Sequence, residues 1–148
     1  MYEHILIATD GSELAARGVE HGLALAAPLK ARVTVLTVAP PLQREAALAA
    51  IAGGVDDPVI RYDQQIESKM KTLFASIEQR AADHGVTVDL LHDIDEHPAE
   101  AIIRTAGLKG CDLIVMTSHG RRGAKRLLLG SQTAEVLAHT SIPVLVVR

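Results

Sequence analysis

Five short runs rich in β-branched and aliphatic residues punctuate this chain: Ile5–Thr9, Arg32–Val38, Val86–Leu91, Leu113–Met116 and Pro143–Val147. Runs that are apolar at nearly every position suit strands covered on both faces. Segments of helical spacing separate most of them, and strands joined through helices run parallel. The pattern predicts an α/β domain, an open and mostly parallel sheet with helices on both faces. Pro143 is compatible with a strand only at its start, where the missing N–H does least harm.

The helical segments carry their own punctuation. Ala15, Val19, Gly22, Leu23 and Ala26 recur on one face after the turn-like Asp10-Gly11-Ser12. Pro58 marks the approach to a long helix with Ile66, Met70, Leu73 and Ile77 on one side, and Gly85 ends it. Pro98 opens a helix carrying Ala99, Ile102, Ile103 and Ala106, and Thr133–Ala138 forms a short last one. The long connection 40–57 is expected to hold a helical turn over Arg44–Ile51 and a flexible Gly53-Gly54. With 148 residues the chain supports one core, so residues 1–148 are expected to form a single domain.

The net charge of −3 gives no basic field for nucleic acid, and two tyrosines with one phenylalanine are too few for base-stacking platforms. No segment approaches a membrane span, and MYEHILIATD lacks a basic n-region and a cleavable apolar stretch, so the expected compartment is the cytoplasm. Cys111 is the one cysteine and sits among apolar residues, as an inert core thiol does.

The chemistry concentrates where strands end. In open parallel sheets, ligands bind beyond the carboxyl ends of the strands at the point where strand order reverses. Two strand ends are polar or glycine-rich: Thr9-Asp10-Gly11 and Thr117-Ser118-His119-Gly120. The second opens the loop MTSHGRRGAKRLLLGS, which ends at a helix start near Gly130 to Thr133, where backbone N–H groups without intrahelical partners favour an anion. Arg121, Arg122, Lys125 and Arg126 add positive charge, and Ser118 and Ser131 add hydroxyls. Neither the Walker pattern nor the dinucleotide fingerprint is present. A surface loop with solvated cations would account for the same residues.

Two other groupings weigh less. His92, Asp93, Asp95, Glu96 and His97 match no defined metal-ligand spacing and read as a polar loop whose carboxylates complement the next helix. Ser118, His119 and Asp10 suggest a hydrolase, but adjacent residues at a strand end point to opposite faces and no nucleophile elbow is present.

Residues 111–148, together with HILIATDGSELA, VTVLTVAP and HPAEAI, resemble the universal stress protein family across the whole chain. The family's nucleotide-binding branch carries G-x2-G-x9-G-[ST]; here Gly120, the spacer 121–129 and Gly130-Ser131 match it, with Thr117 in place of the first glycine. The resemblance implies a five-stranded sheet of order 3-2-1-4-5, of the adenine nucleotide alpha hydrolase-like type, and a homodimer built on the C-terminal strand. It implies an adenine nucleotide, ATP with Mg²⁺, or else AMP or cyclic AMP, bound in a stress-linked switch role with at most slow hydrolysis. By position, Asp10 would hold the ribose, Thr9 and Val38 the adenine side, and Met116 the base or ribose. Gly120, Gly130, Ser131, Gln132 and Thr133 would contact phosphates, with Thr117 beside them. The same resemblance leaves room for a dimeric signalling protein without nucleotide.

Overall fold

The computed structural model describes residues 1–118 and 129–148. Strand β1 (His4–Ala8) leads into helix α1 (Glu13–Leu29) and strand β2 (Arg32–Ala39), followed by helices α2 (Arg44–Ala52) and α3 (Pro58–His84). Strand β3 (Val88–Ile94), helix α4 (Pro98–Lys109), strand β4 (Leu113–Thr117), helix α5 (Ser131–His139) and strand β5 (Val144–Val147) complete the described chain. The five strands form one parallel sheet of order β3-β2-β1-β4-β5. The order reverses between β1 and β4, so the two strand ends that carry the polar chemistry are neighbours.

Alternation along the strands splits the core in two. Ile5, Ile7, Val33, Val35, Leu113 and Val115 pack with α1 and α3, whereas Leu6, Leu36, Ile114 and Met116 pack with α4 and α5. Helix α1 lies close on the sheet because Gly18 and Gly22 face it. A Cβ on Gly22 would come within 2.4 Å of Cδ1 of the fully buried Ile7. The helix ends follow local chemistry: the Ser12 side chain accepts from the Ala15 N–H to cap α1, and Gly85 and Gly110 end α3 and α4 with φ of 68°.

One boundary differs in kind. The strand expected over Val86–Leu91 starts later and extends to Ile94, so His92 and Asp93 are strand rather than loop residues. Its partner sets that length: β2 runs to Ala39 and pairs Thr37, Val38 and Ala39 with His92, Asp93 and Ile94. Burial of Cys111, and then the charge of Asp112, push its thiol up to about 11, well away from reactivity.

The opposite end of the sheet holds a buried histidine. His4 Nε2 lies 2.8 Å from Thr34 Oγ1, and Asp112 accepts from the N–H groups of Glu3 (2.9 Å) and His4 (3.1 Å). Burial tends to raise the Asp112 carboxyl, but those N–H groups outweigh it and hold it below the usual range. For His4, burial and the charge of Arg32 hold the imidazole below its ordinary 6.5. Above 6.5 the folded and unfolded chains both carry it neutral, and below that the unfolded chain takes the proton first. Stability is therefore expected to fall as pH drops from 6.5 through the folded-state value, and His4→Gln should flatten that limb. Urea midpoints at about pH 7.5 and about pH 5.5 test it. An identical pH slope in wild type and variant would remove His4 as the cause.

Candidate functional site at the carboxyl ends of β1, β2 and β4

Strand β1 gives way to a tight turn before α1. Thr9, 7% exposed, donates its N–H to Leu36 O (3.0 Å), and its Oγ1 accepts from the Gly11 N–H (3.2 Å). Asp10, half-buried, accepts from the Ser12 N–H through Oδ1 (2.9 Å), so it shapes the turn while Ser12 is the helix cap. Gly11 takes φ of 79°, and a Cβ there would meet Leu73 Cδ2 of α3 at 3.2 Å. The Asp10 carboxylate is thereby fixed beyond the end of β1, beside β4.

Val38 lies two residues beyond Leu36, the last residue of β2 that β1 reaches. Pairing of β1 with β2 ends at Ala8–Leu36, and the Thr9 N–H to Leu36 O bond closes the ladder. In a parallel ladder the backbone groups of alternate residues point to the same neighbour, so the N–H and C=O of Val38 point the way those of Leu36 do, towards the β1 side. There β1 has already turned away. Among the described residues no hydrogen bond links Val38 to β1, and a backbone donor and acceptor stand side by side over its end.

At the end of β4, side chains alternate. Met116 and Ser118 are buried on the side of α4 and α5. Thr117 turns its methyl to α1: a Cβ on Gly18 would lie 3.0 Å from Thr117 Cγ2. The β-branch that replaces the motif's first glycine thus packs against the helix whose own glycine makes room for it. The Ser118 N–H donates to Val147 O of β5 (2.9 Å), and Ser118 O accepts from the Gly130 N–H (2.5 Å). One backbone unit thereby joins β4, β5 and the start of α5.

Helix α5 has Gly130 as its N-cap, and its first intrahelical bond runs from the Ala134 N–H to Gly130 O (2.9 Å). The N–H groups of Ser131, Gln132 and Thr133 therefore precede the hydrogen-bonded body of the helix. Helices α1, α2 and α4 carry Glu13, Glu45 and Glu100 in their first turns, whereas α5, like α3, carries no acidic residue there. Its positive end lacks a carboxylate of its own.

Two of the expected phosphate-side residues direct their side chains elsewhere. The Thr133 hydroxyl is buried and donates to Thr117 O (2.8 Å), pinning α5 to β4. Gln132 Oε1 accepts from the Ala99 N–H (3.1 Å) in the first turn of α4, a helix whose N-cap, His97, makes no side-chain cap. What these two offer an anion is backbone N–H. Ser131 is exposed, with its hydroxyl at the helix start. Gly120, His119 and the cations Arg121, Arg122, Lys125 and Arg126 lie outside the described residues.

The sequence reading missed Thr37, which is 2% exposed with an Oγ1 that has no hydrogen-bond partner among the described residues. It also missed Ser118 as the junction of three elements. Parity along the strands was the available signal for both, but it becomes informative only once the neighbours of each strand are known. The acidic cluster gathers no metal site among the described residues: Arg104 Nη2 reaches Asp93 (3.3 Å) and Asp95 (3.1 Å), and Asp95 also accepts from the His97 N–H. The His97 N–H and Arg104 hold the Asp95 carboxyl below its usual range.

A family model described as the Universal stress protein family matches residues 1–148. The chain is 30% identical over 153 residues to the universal stress protein YxiE of Bacillus subtilis, covering 100% of each. It is also similar to universal stress protein MJ0577 of Methanocaldococcus jannaschii. The solved MJ0577 structure superposes with a TM-score of 0.81 at 30% identity, covering 99% of this chain and 96% of that one. A universal stress protein solved in complex with cAMP shares the fold at a TM-score of 0.71 and 22% identity, with 99% and 97% covered.

Proposed function

The chain belongs to the universal stress protein family, and we propose that it binds an adenine nucleotide, ATP with Mg²⁺, across the ends of β1, β2 and β4 as a stress-linked switch. The observation that carries this reading is the backbone pair of Val38, an N–H and a C=O side by side over the end of β1. Adenine presents a ring-nitrogen acceptor beside an amino donor, the complement of that pair. Guanine and hypoxanthine present a ring N–H beside a carbonyl, which places donor against donor and acceptor against acceptor.

The remaining roles follow from position. Asp10 accepts from ribose hydroxyls, Thr9 and Met116 flank the base and sugar, and α5 receives the phosphates through the N–H groups of Ser131, Gln132 and Thr133 and the Ser131 hydroxyl. Gly120, Thr117 and Gly130 complete the loop side of the cradle. Magnesium arrives on the phosphates, since a Mg²⁺ site built with a nucleotide needs few protein ligands. The cAMP complex of a relative supports the nucleotide class, with AMP and cyclic AMP as the other candidates. Slow hydrolysis at most is expected, a cytoplasmic setting suits the role, and the functional unit is a homodimer through β5.

Calorimetry with ATP and ITP tests the base assignment. ITP should bind at least a hundredfold more weakly, because it would leave a buried donor and acceptor mismatched. Equal affinities would sink the Val38 reading. Denaturing freshly purified protein and chromatographing what it releases should yield an adenine nucleotide, and no retained nucleotide together with no ATP binding would favour the nucleotide-free signalling alternative.

A further inference from the structure

Helix α5 is nine residues long, short enough that its placement depends on its neighbours rather than on its own stability. Its start is tied at three points. The Gly130 N–H donates to Ser118 O and the Thr133 hydroxyl to Thr117 O, so two of the ties run to the end of β4. The third runs to α4, where Gln132 Oε1 accepts from the Ala99 N–H at 3.1 Å. That donor has little alternative. Pro98 brings no N–H, the N-cap His97 supplies no side-chain cap, and Ala101 makes the first intrahelical bond of α4, to His97 O. Ala99 is 1% exposed, so without Gln132 its N–H would lose its acceptor where water scarcely reaches. Gln132 thus joins two helix starts: its carboxamide caps α4, and its own N–H is the middle one of the three at the open start of α5.

We propose that the Gln132 carboxamide is a positioning residue for the nucleotide's phosphates, and that it links phosphate occupancy at α5 to the start of α4. The inference rests on the adenine-nucleotide reading and adds a regulatory connection to it. Phosphate oxygens gain from three N–H groups only when these converge, and a rigid start to α5 keeps them so before the ligand arrives. Two ties to one strand set the distance of α5 from β4; a third, to a different element, sets its rotation. Coupling of this kind is reciprocal: whatever the tie contributes to phosphate affinity, bound phosphate returns to the tie. ATP therefore firms the first turn of α4, whereas adenosine, which carries no phosphate, leaves it as it is.

Calorimetry with ATP and with adenosine, together with amide exchange at Ala99 read by NMR, tests this on the full chain. Gln132→Met keeps side-chain length and helix propensity but removes the acceptor. It should weaken ATP binding about tenfold and leave adenosine binding unchanged, because only the phosphate end depends on the tie. In the wild type, saturating ATP should slow exchange of the Ala99 amide by about the same factor, and saturating adenosine should not. In Gln132→Met the Ala99 amide should exchange faster and no longer respond to ATP. Gln132→Glu retains an oxygen acceptor and should keep the slow Ala99 exchange of the ligand-free wild type. Unchanged ATP affinity in Gln132→Met, equal losses for ATP and adenosine, fast Ala99 exchange in Gln132→Glu, or a wild-type Ala99 amide indifferent to ATP would each overturn the proposal and leave the nucleotide reading in place. A wild type that binds neither ligand would overturn both.

Discussion

Ser131→Glu is expected to leave the domain folded and slightly more stable while weakening ATP binding a hundredfold or more. The two effects have opposite signs because one charge meets two partners. Helix α5 starts with three N–H groups outside its hydrogen-bonded body and no acidic residue in its first turn. A carboxylate there complements the helix dipole and stabilises by about 0.3–1 kcal/mol. The same carboxylate faces the proposed phosphates. At a separation of about 5 Å and an effective dielectric of about 20, one pair of like charges costs about 3 kcal/mol, which corresponds to a hundredfold or more. Calorimetry and urea unfolding on one preparation read both quantities. Undiminished ATP affinity in a stabilised variant would remove α5 as the phosphate site. A loss of stability would instead show that the start of α5 is held by something other than its dipole.

Wild-type protein is expected to scatter light as a dimer, and Val146→Pro to return it to monomer with the fold intact. Strand β5 lies at the sheet edge and pairs with β4 alone among the described strands. Pro143 and Val147 turn their carbonyls to β4, accepting from Ile114 N–H and Ser118 N–H at 2.9 Å each. By alternation, the backbone groups of Val144 and Val146 face the open edge. An edge of this kind invites a second strand, and Leu145, 38% exposed, adds apolar surface to it. A twofold axis at Leu145 would set Val144 of each copy opposite Val146 of the other, so that donors and acceptors pair reciprocally. Proline at 146 removes one outward N–H per copy and leaves the β4–β5 ladder whole. Symmetry doubles the loss, and two unmet carbonyls at about 1–3 kcal/mol each should weaken association a hundredfold or more. Val146→Lys should act in the same direction by charging the edge. A wild type that remains monomeric at high micromolar concentration would end the edge-pairing model.

The two predictions draw on different depths of the sequence. The start of α5 was recognisable from Gly130-Ser131 and the run that follows, because caps and helix starts depend on a few adjacent residues. The open edge was not recognisable from residues alone. Pro143–Val147 reads as a strand, but nothing local says whether it lies at the edge or inside; only the family resemblance placed it there, and the sheet order agrees. The bounds of β3 show the same division. Local propensity fades after Leu91, yet the strand runs to Ile94 because β2 continues beside it.

By itself, the sequence determined what is decided over short distances along the chain. Apolar runs made strands, Ser12 and Gly85 bounded helices, and the polar and glycine-rich strand ends marked the candidate site. Tertiary structure decided what those residues face. Thr117 points to Gly18, Thr133 donates across 16 positions to Thr117 O, and Gln132 reaches 33 positions back to cap α4. The backbone pair of Val38 is left over only because β1 ends earlier than β2. The physical reason is that strand and helix propensities are set within a few residues, whereas a hydrogen-bond partner or a packing neighbour exists only once the order of strands brings distant segments together.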